Sequence, residues 1–228
     1  DNANYTPFMG SSIYLKIEDK HFLVTANHVI KDLSARYSIP QQEHFDNFLQ
    51  FIGVPNEQFD FCFSFLTKPL DYFKPINISD CIKYISSHDG YLIASGFPET
   101  KVKTYNGNIN CILQNIISKE SKNQEYNEIG ADINKNIVIQ FKPKSLEIDT
   151  GVKTQLPFPN GMSGGGLFFV SKNVLYRDEK PKLVGLLTRW GSDLKKSIVA
   201  SRIEMIIFAI GLVYPEINRI KYIEEKFT

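Results

Sequence analysis

Nearly every apolar segment of this chain is short, rich in β-branched and aromatic residues, and bounded by Gly, Pro, Asn or Asp. Such a pattern specifies the strands of an all-β barrel or sandwich. Residues 11–17 and 21–25, split by the polar Glu18-Asp19-Lys20, read as a hairpin. Further strands are expected at 48–54, 59–66, 91–95, 101–117, 136–141, 165–170, 182–190 and 197–200. Inside 101–117, Asn106-Gly107 is a strong hairpin-turn signal. One helix is expected near the end. Ser201-Arg202-Ile203-Glu204 has the form of a capping box, and the apolar run after it stops at Gly211, a C-cap residue. A short helical turn is expected after His28, over 29–33. The polar spans 118–135 and 171–181 read as surface loops, with 118–135 the expected boundary between two halves. Residues 143–160 carry few strand signals and lead directly to Ser163.

A chain of 228 residues can bury roughly 70–75% of its unfolded surface, so its core needs neither metal nor disulfide. The net charge is +1, from 26 basic and 25 acidic residues without a long run of one sign. That balance argues against a nucleic acid or a membrane as the main partner. Cys62, Cys81 and Cys111 are odd in number, scattered, and fit no zinc module. They read as small core residues in a reducing, cytoplasmic setting. The longest apolar run, 205–213, is too short to span a bilayer. The chain opens at Asp1, as a processed form or an excised domain would.

Chemistry concentrates at three places. Ser163 lies in Gly161-Met162-Ser163-Gly164-Gly165-Gly166, His28 in Thr25-Ala26-Asn27-His28-Val29, and Asp60 in Phe59-Asp60-Phe61-Cys62-Phe63. A serine hydroxyl is a useful nucleophile only beside a base, so the pairing with His28 matters more than either residue alone. Gly161-Met162-Ser163-Gly164-Gly165 also fits Gly-x-Ser-x-Gly, the nucleophile elbow of the α/β-hydrolases. In that fold the histidine follows the serine, whereas His21, His28, His44 and His88 all precede Ser163. The subtilisin order needs an aspartate ahead of the histidine, and Asp1 and Asp19 sit in no strand-end context. What remains is the order His, Asp, Ser. Asp60 is the preferred carboxylate, with Asp46, Asp71 and Asp80 as alternatives.

With these motifs the chain resembles the trypsin-like (chymotrypsin-fold) serine peptidases. Thr25-Ala26-Asn27-His28 is similar to the family's Thr-Ala-Ala-His. Gly161-Met162-Ser163-Gly164-Gly165 is similar to its Gly-Asp-Ser-Gly-Gly, and Leu183-Val184-Gly185-Leu186-Leu187-Thr188 to the strand after the nucleophile. The resemblance implies a single all-β domain over 1–228, built of two six-stranded antiparallel β-barrels with a C-terminal helix. The barrels would span about 8–118 and 136–200, and the helix about 202–211. It implies that His28 is the base, that Asp60 orients it, that Ser163 attacks, and that Gly161 and Ser163 N–H groups form the oxyanion hole. It places Pro157 at the base of the specificity pocket, with Thr188, Arg189 and Trp190 on its substrate side. Thr188 would also support Asp60 by a hydrogen bond.

The departures carry information too. Met162 stands where many relatives hold an aspartate that pairs with a freshly cut N-terminus, so that switch is missing. No acid occurs between 152 and 162, which disfavours cleavage after Lys or Arg and favours apolar side chains, or acidic ones if Arg189 faces the pocket. No cofactor is implied. The expected partner is a peptide or protein substrate, with a regulatory domain or partner protein outside this chain as a further expectation. A silent or latent peptidase-like domain that binds a partner is the alternative.

Overall fold

The computed structural model describes residues 10–31, 51–53, 59–86, 89–105, 108–146, 153–172, 180–191 and 196–217. Strands β1 (Ile13–Ile17) and β2 (Lys20–Thr25) form the expected hairpin, in register from Ile13↔Val24 to Ile17↔Lys20, with Glu18 in the turn at φ 56°. A short helix, α1 (Asn27–Lys31), leaves β2 almost at once. Strands β3 (Ile52–Gly53), β4 (Cys62–Leu66) and β5 (Ile76–Asn77) complete a five-stranded sheet in the order β3-β4-β2-β1-β5. Its β1–β5 pairing is parallel and two residues long.

The second sheet begins with β6 (Gly90–Gly96). A hairpin of β7 (Val102–Tyr105) and β8 (Asn108–Cys111) precedes β9 (Gln114–Ser118). Helix α2 (Asn123–Glu128) leads to β10 (Asn136–Gln140). A second ribbon, β11 (Lys144–Leu146) with β12 (Lys153–Gln155), follows. Then come β13 (Gly166–Ser171), β14 (Lys182–Gly191), β15 (Ser197–Arg202) and helix α3 (Ile203–Val213). The sheet is antiparallel throughout, in the order β10-β15-β14-β13-β6-β9. It curls enough for its edges to meet. Glu120 bridges Ile139, Ser121 N–H donates to Val138 O at 2.8 Å, and the Ser118 hydroxyl donates to Gln140 O at 2.9 Å.

Two cores follow from this arrangement. Ile13, Leu15, Ile17, Phe22, Val24, Phe61 and Phe63 of the first sheet pack with Leu183 and Leu186 of β14 and with Ile203, Ile206, Ile207 and Ile210 of α3. Inside the second sheet, Leu92, Ile116, Ile137, Ile139, Met162, Leu167, Val184, Leu187 and Ile198 form the other. Strand β14 serves both, which explains why 183–188 is buried without interruption and reads as a continuous apolar run rather than an alternating one. No helix among the described residues is long and apolar enough to cross a membrane.

Several expectations differ from the structure. Among the described residues the first sheet has five strands, two of them only two residues long, where six were expected. The halves divide between Asn77 and Gly90, because β6 and β9 belong to the second sheet. The polar span 118–135, taken as the boundary, instead bridges that sheet's edges and forms α2. Tyr126 of α2 packs with Ile129 and Ala131 onto Val138 and Val199. The capping box does not form. Ser201 is committed to the β15 ladder opposite Asn136 and Leu186, its hydroxyl is buried without a partner, and Arg202 is the N-cap residue. Finally, α3 runs through Gly211 to Val213 and stops ahead of Pro215, where Tyr214 N–H caps Ile210 O at 2.9 Å. Expectations for 32–33, 48–50, 54 and 173–179 lie outside the described residues, as does the Asn106-Gly107 turn between β7 and β8.

Because α3 is wedged into the joint core, truncation on its two faces should differ sharply. Ile207→Ala, at a fully buried position, is expected to cost about 3 kcal/mol. Phe208→Ala, on the exposed face, should change stability by less than about 1 kcal/mol. Urea unfolding midpoints of the two variants measure the contrast.

Candidate active site

Asp60 sits two residues before the buried start of β4 and folds back onto the first turn of α1. Its carbonyl accepts Asn27 N–H at 3.2 Å, and its Oδ1 accepts His28 N–H at 3.0 Å. Its Oδ2 lies 2.5 Å from His28 Nδ1. One carboxylate thus holds both the backbone and the ring of the histidine. A carboxylate only accepts, so Nδ1 is the donor in this bond, and in the neutral ring that leaves Nε2 as the nitrogen with the lone pair. The ring is half exposed while the carboxylate is mostly covered. The alternatives fall away: Asp80 pairs with Lys182 at 3.0 Å, Asp71 is exposed in a turn, and Asp46 lies outside the described residues. His21 belongs to a structural pair, stacked on Tyr14 with the hydroxyl 2.6 Å from Nδ1. Burial and then the nearby Lys16 charge lower its pKa. His44 and His88 are outside the described residues.

Cys62 neighbours this pair without joining it. Its thiol is buried and donates to Thr25 O at 3.7 Å. Burial first, and the Asp60 charge second, push its pKa up to about 12, which leaves it a packing residue rather than a nucleophile.

Ser163 stands on a loop whose peptide groups can be counted one by one. Asn160 O accepts Glu99 N–H at 2.7 Å, and Gly161 O accepts the Ser11 hydroxyl at 3.1 Å. Met162 O accepts Gly165 N–H at 2.9 Å, and Ser163 O accepts Ser11 N–H at 2.8 Å. Among the donors, Met162 N–H goes to Pro159 O at 2.9 Å and Gly164 N–H to Leu187 O at 2.7 Å. Among the described residues, the N–H groups of Gly161 and Ser163 have no partner. Both belong to peptides whose carbonyls are tied down. Gly161 at φ 86° and Gly164 at φ 89° take backbone conformations that suit glycine, and the buried Met162 side chain anchors the loop in the second core.

The loop meets the histidine segment at a tight junction. A Cβ on Gly164 would lie 1.9 Å from Ser11 O and 2.3 Å from Thr25 Oγ1. Thr25, three residues before His28, donates its hydroxyl to that same Ser11 O at 2.7 Å. On Gly10, a Cβ would meet Val29 at 2.8 Å and Ser163 O at 3.0 Å. The structure therefore brings Gly161, Ser163 and the approach to His28 into one packed region, with His28 and Asp60 directly joined. No hydrogen bond links Ser163 Oγ to His28 among the described residues.

The expected pocket residues are placed as follows. Pro157 is partly buried and Arg189 is exposed. Trp190 packs edge-on against Phe141, with centroids 4.9 Å apart, and lies near Phe158 at 6.3 Å. Its indole N–H donates to Asn160 Oδ1 at 2.8 Å. Thr188 differs from expectation. It is the extra residue of a bulge, since Leu187 faces Ala200 and Arg189 faces Val199. Its buried hydroxyl donates to Val199 O at 3.2 Å, and so it does not support Asp60. Three residues of this region, Ser11, Asn160 and Phe141, were not marked by sequence. Only the Gly10-Ser11 pair just ahead of a strand offered a local hint.

Chemically, an imidazole held at Nδ1 can activate a serine hydroxyl that comes within its reach, and free backbone N–H groups can receive an oxyanion where they converge. Among the described residues, no group of three His, Cys, Asp or Glu could hold a metal ion. Neither the comparison with protein-family models nor the search of curated proteins finds a match.

Proposed function

We propose that the chain is a serine endopeptidase of the trypsin-like kind, acting through His28, Asp60 and Ser163. In this reading Ser163 Oγ attacks the scissile carbonyl carbon while His28 Nε2 takes its proton. The carbonyl oxygen, now an oxyanion, is received by the Gly161 and Ser163 N–H groups. Collapse breaks the C–N bond, and His28 returns the proton to the leaving amine. Water, deprotonated by His28, then splits the acyl ester and restores Ser163. Asp60 remains ionised throughout and holds the imidazolium that forms in each half.

The observation that carries this reading is the selective freedom of two backbone donors. Among the described residues, the N–H groups of Met162, Gly164 and Gly165 and the carbonyls of Gly161, Met162 and Ser163 are engaged, while the Gly161 and Ser163 N–H groups stay open to a ligand. The second reading, a silent or latent domain, draws on the missing bond between Ser163 and His28. Such bonds are often loose before substrate arrives, so activity itself separates the two.

Ser163→Ala should leave the fold intact and abolish both peptide cleavage and fluorophosphonate labelling. Turnover equal to wild type would end the peptidase reading, and absence of labelling in the wild type would favour the silent one. Asp60→Asn removes the acceptor that fixes the His28 tautomer, and should lower kcat by about 10⁴-fold. Stopped or single-turnover kinetics with an activated ester would read this directly. On substrate choice, the pocket that the resemblance implies would be walled by Leu156, Pro157, Phe158 and Trp190, with no carboxylate between 152 and 162, and a buried unpaired cation is costly. Peptide-library profiling should give apolar side chains before the cut and little cleavage after Lys or Arg.

A further inference from the structure

Ser11 lies outside the three reacting residues, yet each of its backbone and side-chain polar atoms is spent on them or their supports. Its N–H donates to Ser163 O at 2.8 Å, and its hydroxyl donates to Gly161 O at 3.1 Å. Its carbonyl accepts the Thr25 hydroxyl at 2.7 Å, and its Oγ accepts Phe97 N–H at 2.9 Å. The residue is 5% exposed, so these bonds do not compete with solvent.

The two bonds to the loop fall on either side of the Ser163 N–H. One fixes the Gly161–Met162 peptide, the other the Ser163–Gly164 peptide, and the peptide between them carries the free donor. Turning that N–H away would break the bond from Gly165 N–H to Met162 O at 2.9 Å, and the two Ser11 bonds fix the chain on either side of the peptide that would have to turn. Through Thr25, the same residue is tied to the end of β2, which leads into His28. Ser11 sits at the start of the first sheet and the loop belongs to the second, so the bonds cross between halves separated by 150 residues of sequence.

We infer that Ser11 is a positioning residue that holds the oxyanion donor and Ser163 in register with the His28 segment. This rests on the peptidase reading for its catalytic consequence, but its structural content stands on the bonds alone. Preorganised donors act because they need no reorganisation as charge develops, so loosening them should weaken transition-state binding more than substrate binding.

The test is Ser11→Ala in the full chain. Folded variant should lose tenfold or more, on the order of one charge-assisted hydrogen bond, in kcat and in the fluorophosphonate labelling rate of Ser163. KM should stay within about twofold, the split that marks an interaction made in the transition state. Amide exchange at Met162 and Gly164 should accelerate. Thr25→Val, which removes only the link to Ser11 O, should give a smaller loss of the same kind, and it serves as the probe if Ser11→Ala does not fold. Labelling and kcat unchanged in the folded variant, or reduced only in proportion to an unfolded fraction, overturns the assignment. If the wild type neither cuts nor labels, the peptidase reading fails separately. Exchange then decides: faster exchange at Met162 and Gly164 in the variant sustains the positioning role, and unchanged exchange overturns it.

Discussion

The site depends on one close approach, the backbone of Gly164 lying against Ser11 O and the Thr25 hydroxyl. A methyl group there would overlap both oxygens, and φ of 89° would strain any other residue. Because the approach is possible, the loop of the second sheet lies on the end of the first, and the Ser11 bonds can form across the join. Around it the packing is shared: α3 and β14 contribute to the same core as β1, β2 and β4, so the two halves are not free to slide independently.

This division gives the candidate triad an asymmetry. His28 and Asp60 both belong to the first sheet and meet through two local hydrogen bonds, so their geometry survives small shifts between the halves. Ser163 comes from the other side of the join. The bond that is absent, between Ser163 and His28, is the one that crosses it. In this account the precision of the junction governs competence, while the carboxylate–imidazole pair is ready in advance.

Much of the fold was legible in the sequence because the strands are short, alternating and punctuated. The β1–β2 hairpin and strands β6, β10, β13 and β15 lie within one or two residues of expectation. The candidate triplet was singled out through its order, since every histidine precedes Ser163, and of its members the structure joins His28 to Asp60. Other features were hidden for identifiable reasons. Helix α2 has six residues, with Tyr126 buried and a polar outer face, and so resembles a loop. Ser201 looked like a cap because nothing local reveals that its backbone is already paired with Asn136. The bulge at Thr188 depends on register with Val199, a tertiary property. Ser11 was silent because its bonds reach Phe97 and Gly161, far along the chain, and side-chain-to-backbone bonds of that span leave no periodic trace.

The central claim is that Ser163 attacks and that the Gly161 and Ser163 N–H groups receive the oxyanion. The most direct measurement is a crystal structure of the chain after treatment with a fluorophosphonate. The account places the phosphorus on Ser163 Oγ, with a phosphonyl oxygen about 2.7–3.1 Å from both N–H groups and His28 still bonded to Asp60. An adduct on another residue, or an adduct on Ser163 whose oxygen turns away from those two donors, would contradict it.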